Sequence, residues 1–455
     1  MNILYNHFKK RKLSSVLKIV GSKNILKRRL TLFHIIIFGI GAMIGGGVFI
    51  LPGLASYSIG PSVFISFLFA GVLSISIALS YSELSIHIPS SGGCYVYAEV
   101  CLGKMIGYVT AITLITVESL SMASVANGCA SYIIGFFSFL NKEYILNIFI
   151  FKEFNFLPSI VVLLATAILY KGVNTSSIVS FILVTIKISG LITFVIIALI
   201  YLKIDNLVPF FRYEDAKINS ILEGISMVVI SYAGFDALCA TNQESINPKR
   251  DLPIAMIVTV SFCIMLYITV TIAMDGLISY PHLKITNPMF VAIKQLPGFY
   301  FLKIFILIAA IAATFSVLLA VMYGISRWIF SLSNDKIFPL LFSKVNKKHE
   351  PVNAVLLSGL IIGIICSVVP IVKLLKLANT GFLFIYIVVS FAALMLNKNV
   401  SFYIRWISII NIITSSIFFL NLIQNHFWNI FLFFTLVLIS YFVKNILSFK
   451  KKLIT

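Results

Sequence analysis

Three consecutive glycines, Gly45-Gly46-Gly47, sit inside the apolar stretch from Phe38 to Ile50, with Gly39 and Gly41 just ahead of them. The segment is long enough to cross a bilayer, and so many glycines break its helix. Lipid offers no water to the freed amides and carbonyls, so a break at that depth must face protein or a water-filled cavity. Its chemistry is ion binding without charged side chains. Amides opening the outer half-helix suit an anionic group, and carbonyls ending the inner half-helix suit a cationic one. Ser231-Tyr232-Ala233-Gly234-Phe235-Asp236 interrupts a second apolar segment in the same way. A lone glycine in a spanning helix is commonly a close-packing position, but these two breaks open equivalent halves of the chain, which favours unwinding at both.

Two charges fall deep in apolar segments. Glu118 follows the start of its segment by 13 residues and Lys187 by 9, which puts them about 20 and 14 Å into a hydrocarbon core about 30 Å thick. An isolated charge there costs about 2.5–3.5 kcal/mol even on the lenient insertion scale, so the two are expected to meet each other or water. One reading is a static ion pair that fixes helix packing. The other is a proton-coupling pair, because burial and the neighbouring carboxylate act on the lysine's protonation in opposite senses. Asp236 stands where the second broken helix resumes, a capping position. Glu244 is expected in an inner gate network with Lys249, Arg250 or Arg327. His34, His87 and His426 have no carboxylate partners in sequence and read as interfacial. Cys94, Cys101, Cys129, Cys239, Cys263 and Cys366 form no CxxC pair, so neither a metal site nor a disulfide framework is indicated, and no cofactor is implied.

The elements that position these groups follow from composition. With 455 residues, 60% hydrophobic and 11% charged, and a mean hydropathy of +1.05, the chain reads as an integral membrane protein. Residues 1–30 form a basic arm ending in Lys27-Arg28-Arg29, without the pattern of a cleaved signal. Hydropathy predicts twelve spanning helices at roughly 33–57, 61–82, 105–137, 156–170, 178–202, 220–245, 254–275, 301–332, 354–370, 374–396, 402–421 and 427–447. An even count puts both termini on one side, which carries 24 of the 35 Lys and Arg against 10 on the other, so the termini are expected in the cytoplasm. The net charge of +20 then reflects this asymmetry and attraction to anionic headgroups rather than nucleic acid binding.

The breaks belong to a longer set of motifs. Ile44-Gly45-Gly46-Gly47-Val48-Phe49 is followed by Pro89-Ser90-Ser91-Gly92-Gly93 with Tyr95 and Tyr97, then by Tyr232-Ala233-Gly234-Phe235-Asp236 leading to Glu244. Asn247-Pro248-Lys249-Arg250-Asp251-Leu252-Pro253, Arg327 and Asp335 complete it. In this order and spacing, over residues 30 to 445, the chain resembles the amino acid–polyamine–organocation superfamily of permeases, in its cationic-amino-acid-transporter-like branch. The resemblance implies an all-α membrane fold: a five-plus-five inverted repeat with helices 1 and 6 broken, plus two C-terminal helices. It divides the chain into the cytoplasmic arm 1–30, a ten-helix core 31–396, helices 11 and 12 in 397–447, and a cytoplasmic tail 448–455. It implies secondary active transport of an amino acid or related amine across the cell membrane by alternating access, with protons as the expected coupling ion and no enzymatic activity. Exchange is the alternative, and a non-transporting receptor a remoter one.

An α-amino acid carries one carboxylate and one ammonium, which the two breaks can hold through backbone alone. The expected substrate site is Ile44, Gly45, Gly46 and Gly47 with Tyr232, Ala233, Gly234 and Phe235, the last also an outer lid, and Met122 and Cys239 as pocket walls. Lys187, in Thr185-Ile186-Lys187-Ile188-Ser189, matches the lysine that the family uses in place of a sodium ion. The resemblance thus puts its ammonium between carbonyls of the first break and hydroxyls of segment eight, Thr314 and Ser316 being candidates. Val117-Glu118-Ser119 departs from the branch's usual Leu-Glu-Tyr.

Overall fold

The computed structural model describes residues 10–11, 28–90, 92–141, 150–151, 154–212, 217–285, 287–294, 296, 298, 300–346, 350–368, 371–396, 402–420, 435 and 437. The first predicted span is three pieces: α1 (Leu32–Met43), the single turn α2 (Gly46–Phe49) and α3 (Leu51–Ile59). Next come α4 (Val63–His87), the short α5 (Cys94–Cys101), α6 (Lys104–Phe139), α7 (Leu157–Tyr170) and α8 (Val173–Ile200). The sixth segment starts as α9 (Lys217–Val228) and continues as two 3-10 stretches, Val229–Tyr232 and Phe235–Gln243, parted at Ala233-Gly234. Then follow α10 (Pro248–Leu277), α11 (Pro288–Lys294), α12 (Tyr300–Asn334), α13 (Val352–Val368), α14 (Ile371–Met395) and α15 (Phe402–Leu420). A two-residue antiparallel pair, β1 (Ile150–Phe151) with β2 (Phe154–Asn155), is the sheet among the described residues.

Eight of these helical stretches are long and apolar enough to cross a membrane, and α1, α7 and α13 are apolar but shorter. The predicted span at 427–447 lies outside the described residues apart from two positions. Apolar side chains such as Ile178, Ile182, Ile192 and Ile196 on α8, or Leu163 and Leu164 on α7, are exposed, as a lipid-facing surface requires. Inside, helices approach through small residues, since lipid removes the hydrophobic drive to associate and leaves close packing to do the work. Gly190 of α8 meets Ala309 of α12, and Gly71 of α4 meets Ile264 of α10, each too close to admit a Cβ. All six cysteines are free and buried among these helices.

Both ends of the broken first segment are tied down. At its N-terminal end, the amides of Arg29 and Leu30 bond the Glu244 carbonyl, and the Ile246 amide bonds that of Leu30. Arg11, in the basic arm, reaches Asp335 through both terminal nitrogens at 2.7 and 2.8 Å and Glu99 at 3.0 Å. Burial opposes its charge, but the two carboxylates more than offset this and hold the guanidinium above its ordinary pKa. At its C-terminal end, Arg212 donates to the Tyr57 carbonyl at 2.5 Å and stacks with Lys284 on the Tyr57 ring.

Candidate functional site

The first break is confined to Ile44 and Gly45, after which the chain re-enters helix with the amides of Val48 and Phe49 on the Gly45 carbonyl. Among the described residues, the amides of Gly45 and Gly47 take no backbone carbonyl, leaving donors at the start of α2. The second break turns at Gly234, whose φ of +113° few side chains tolerate. Its amide bonds Oδ1 of Asp236 at 3.1 Å, the local cap that starts the next 3-10 stretch. The two breaks touch. A Cβ on Gly47 would lie 2.9 Å from Cα of Ser231, and one on Gly234 would lie 2.8 Å from the Ala42 carbonyl oxygen. Tyr267 of α10 binds them together: its hydroxyl lies 2.7 Å from the Met43 carbonyl oxygen and 2.9 Å from that of Ser231.

A cavity opens between the breaks and α6, lined by Gly47, Glu118, Met122, Ser231, Ala233 and Gly234 among others. Of the residues expected to touch substrate, Ile44, Gly45, Tyr232, Phe235 and Cys239 fall outside its lining. Ile44 turns its carbonyl to Lys187, and Gly45 packs against Val317 of α12. Tyr232 spends its hydroxyl on the Phe67 carbonyl at 2.8 Å. Phe235, expected as an outer lid, stacks on Tyr386 of α14 and meets Tyr81 edge-on, packed into the core. Cys239 faces Tyr97 and the backbone at Gly93.

Gly234→Ala illustrates how tightly the second break is set. Forcing an L side chain to this φ costs about 1–3 kcal/mol, and the added methyl overlaps the Ala42 carbonyl as well. We expect a clear drop in melting temperature of the purified protein, measured by thermal unfolding in detergent, whereas Gly298→Ala, with nothing within 4 Å of its Cβ, brings only the φ penalty.

Lys187 of α8 is fully buried and its ammonium is held by four oxygens: the carbonyls of Ile40 at 3.0 Å, Gly41 at 3.1 Å and Ile44 at 2.7 Å, and the Ser316 hydroxyl at 2.9 Å. The Ile40 carbonyl also accepts the Ile44 amide at 3.1 Å, closing α1, whereas those of Gly41 and Ile44 come at and beyond the helix end, where carbonyls lack helical partners. Thr314 is not among them, because its hydroxyl turns back to the carbonyls of Ala310 and Ile311 in its own helix. Glu118 is not among them either. No ion pair joins it to Lys187 among the described residues; it faces the opposite way across the site, against Asp236, with both carboxyl groups buried. Oε1 of Glu118 and Oδ2 of Asp236 have no hydrogen-bond partner.

The network expected at the inner gate gathers Glu244, Arg327 and a residue that the sequence did not single out, Glu350. Arg327 lies 3.1 Å from Glu244 and 2.8 Å from Glu350, over the ring of Tyr323, whose hydroxyl donates to Glu244 at 2.5 Å. Arg250 and Lys249 are not part of it. They occupy the first turn of α10, exposed, where Arg250 lines a surface recess with Thr31 and Asp251. Glu350 precedes Pro351 at the start of α13, and an acid at a membrane boundary is the signal that points to it.

The amino acid permease family model matches residues 34–453. The chain belongs to the amino acid permease family. The permease is 30% identical over 400 residues to the branched-chain amino acid permease BcaP of Bacillus subtilis, covering 86% of this chain and 85% of that protein. It is 30% identical to the methylthioribose transporter of the same organism, over 90% of this chain and 91% of that one. Cationic amino acid transporter 9 of Arabidopsis thaliana is 32% identical over 71% of the permease and 58% of its own length. Among solved structures, MhsT in complex with L-phenylalanine superposes with a TM-score of 0.68 at 14% identity, covering 87% of the permease and 99% of that chain, a likeness of fold. The permease is thus a multi-pass membrane transporter and not an enzyme.

Proposed function

We propose that the permease moves an amino acid across the cell membrane by proton-coupled symport. The observation that carries this reading is the meeting of two helix breaks around a cavity, with Gly47 of one, whose amide takes no backbone carbonyl, and Ser231, Ala233 and Gly234 of the other lining it. The Gly47 amide, with those of Gly45 and Gly46 behind it at the same helix start, draws the substrate carboxylate to the break, and carbonyls around Ala233 and Gly234 hold its ammonium, while Met122 meets the side chain. Ile44 and Tyr232 brace the breaks from behind. Lys187 supplies, on a tether, the positive charge that a bound metal cation would otherwise bring to the carbonyls of α1. Glu118 and Asp236 carry the transported proton, because two buried carboxyl groups in contact are stabilised by sharing one. Glu244, Arg327 and Glu350 close the inner side.

This reading comes with a topology. The chain crosses the membrane twelve times with both termini in the cytoplasm, the arm 1–30 and tail 448–455 flanking a core of five-plus-five inverted repeats in 31–396 and two further helices in 397–447. Uptake by sealed proteoliposomes tests the activity. A panel of amino acids is offered with an inward proton gradient or an inward sodium gradient, and methylthioribose is included because one relative is named for it. Accumulation of an amino acid on the proton gradient and not on the sodium gradient is expected; a parent protein that concentrates nothing on the proton gradient sinks the proposal.

A further inference from the structure

Behind the Glu118–Asp236 pair, on the side away from the cavity, lies a group of buried polar atoms that neither the substrate site nor the inner network uses. Tyr81 of α4 and Tyr97 of α5 are fully buried, and apart from the weakly bonding thiols of Cys94 and Cys239 beside them, neither hydroxyl has a hydrogen-bond partner. Their rings are 6.3 Å apart, and Tyr81 lies edge-on to Phe235, the residue next to Asp236. Beyond them, the indole Nε1 of Trp328 is buried without a partner, beside Gly93 and Cys239. Trp328 adjoins Arg327, and Glu99, two residues beyond Tyr97, reaches the inner surface where Arg11 holds it. The titratable groups facing the carboxyl pair are Tyr81 of α4, Cys94 of α5, Cys239 of the 3-10 stretch and Tyr386 of α14. Tyr97 belongs to the Pro89-Ser90-Ser91-Gly92-Gly93 motif, for which the transport cycle as described so far has no use.

An unpaired hydroxyl in a protein interior is destabilising by roughly 1–3 kcal/mol, and interiors resolve it with bound water. One such atom is an imperfection. Two neighbouring phenols next to a carboxyl pair, with a buried indole N–H near the second, can form a path. We propose that Tyr81 and Tyr97, with water between them, conduct the proton from the Glu118–Asp236 pair to the inner face of the membrane. Each phenol accepts a proton on its oxygen and releases its own, so the side chains end unchanged and one proton moves inward per turnover. Trp328 orients the last water as a donor and takes no proton itself.

The inference rests on the proton-coupled reading, and the assay separates the two. Exchange of labelled external substrate for unlabelled internal substrate moves no net proton, whereas net uptake on a proton gradient does. For Tyr81→Phe and Tyr97→Phe, exchange at the parent's rate is expected, with net proton-driven uptake slowed by about tenfold or more, as befits loss of a placed proton-transfer group. A parent that fails to accumulate on a proton gradient overturns both readings. A parent that accumulates, beside phenylalanine variants that do so equally fast, overturns the conduit alone. Equal loss of exchange and net uptake in both variants assigns the tyrosines to packing and overturns it too.

Discussion

Gly47→Ala is expected to abolish substrate binding while the protein remains folded. The new Cβ points at the backbone of Ser231, 2.9 Å from its Cα and 3.0 Å from its carbonyl oxygen, so relief requires the two breaks to part. Parting them removes amides from the substrate carboxylate, and hydrogen bonds to a charged group contribute about 1.5–3 kcal/mol each. Loss of two such bonds predicts about a hundredfold or greater fall in affinity, read as displacement of labelled substrate from purified protein of normal retention on gel filtration. Amino acid esters and amides, which lack the carboxylate, are expected to compete poorly with the parent. Undiminished binding by Gly47→Ala removes the glycine amides from the substrate site.

The second large effect is expected at Lys187. With its ammonium on three carbonyls and Ser316, Lys187→Gln takes away the charge that neutralises the end of α1 and leaves those oxygens facing a neutral amide. Accumulation on a proton gradient is lost, and sodium drives no transport in the parent. Glu118→Gln acts at a different place, because its partner is Asp236, and alters the pH dependence of uptake rather than the dependence on cation. If Lys187 only fastens helices, its replacement lowers the yield of folded protein and leaves coupling intact in what survives. Uptake against internal and external pH, normalised to folded protein, distinguishes the outcomes; a Lys187→Gln variant that still concentrates substrate on a proton gradient rules the lysine out of coupling.

What the sequence makes legible is local. Glycine runs, a lysine deep in an apolar segment and the prolines at 248 and 253 act within a turn or two of themselves, so the breaks and the start of α10 can be read directly. Partnership across helices cannot, because it depends on rotation about each helix axis, which an apolar segment barely encodes. Glu118 and Lys187 lie at compatible depths, yet one faces the second break and the other the end of α1. Phe235 is a lid or a core residue depending only on which way its stretch turns after Gly234. Thr314 and Ser316 are two residues apart on α12 and so face different neighbours, which leaves Ser316 alone on the ammonium. Tyr267, one tyrosine in an apolar helix, and Arg11, 324 residues from Asp335, give no sign in sequence of what they hold.

The hydroxyl of Tyr267 has one hydrogen and two carbonyls within reach, one from each break. At any instant one carbonyl is served fully and the other by proximity alone, so the arrangement is frustrated by design of its parts. When either break loosens, the hydrogen settles on the other, and a net bond of about 1 kcal/mol is kept rather than lost. One phenol thus offers the same bond to whichever break stays in place, so its contribution does not favour loosening one break over the other.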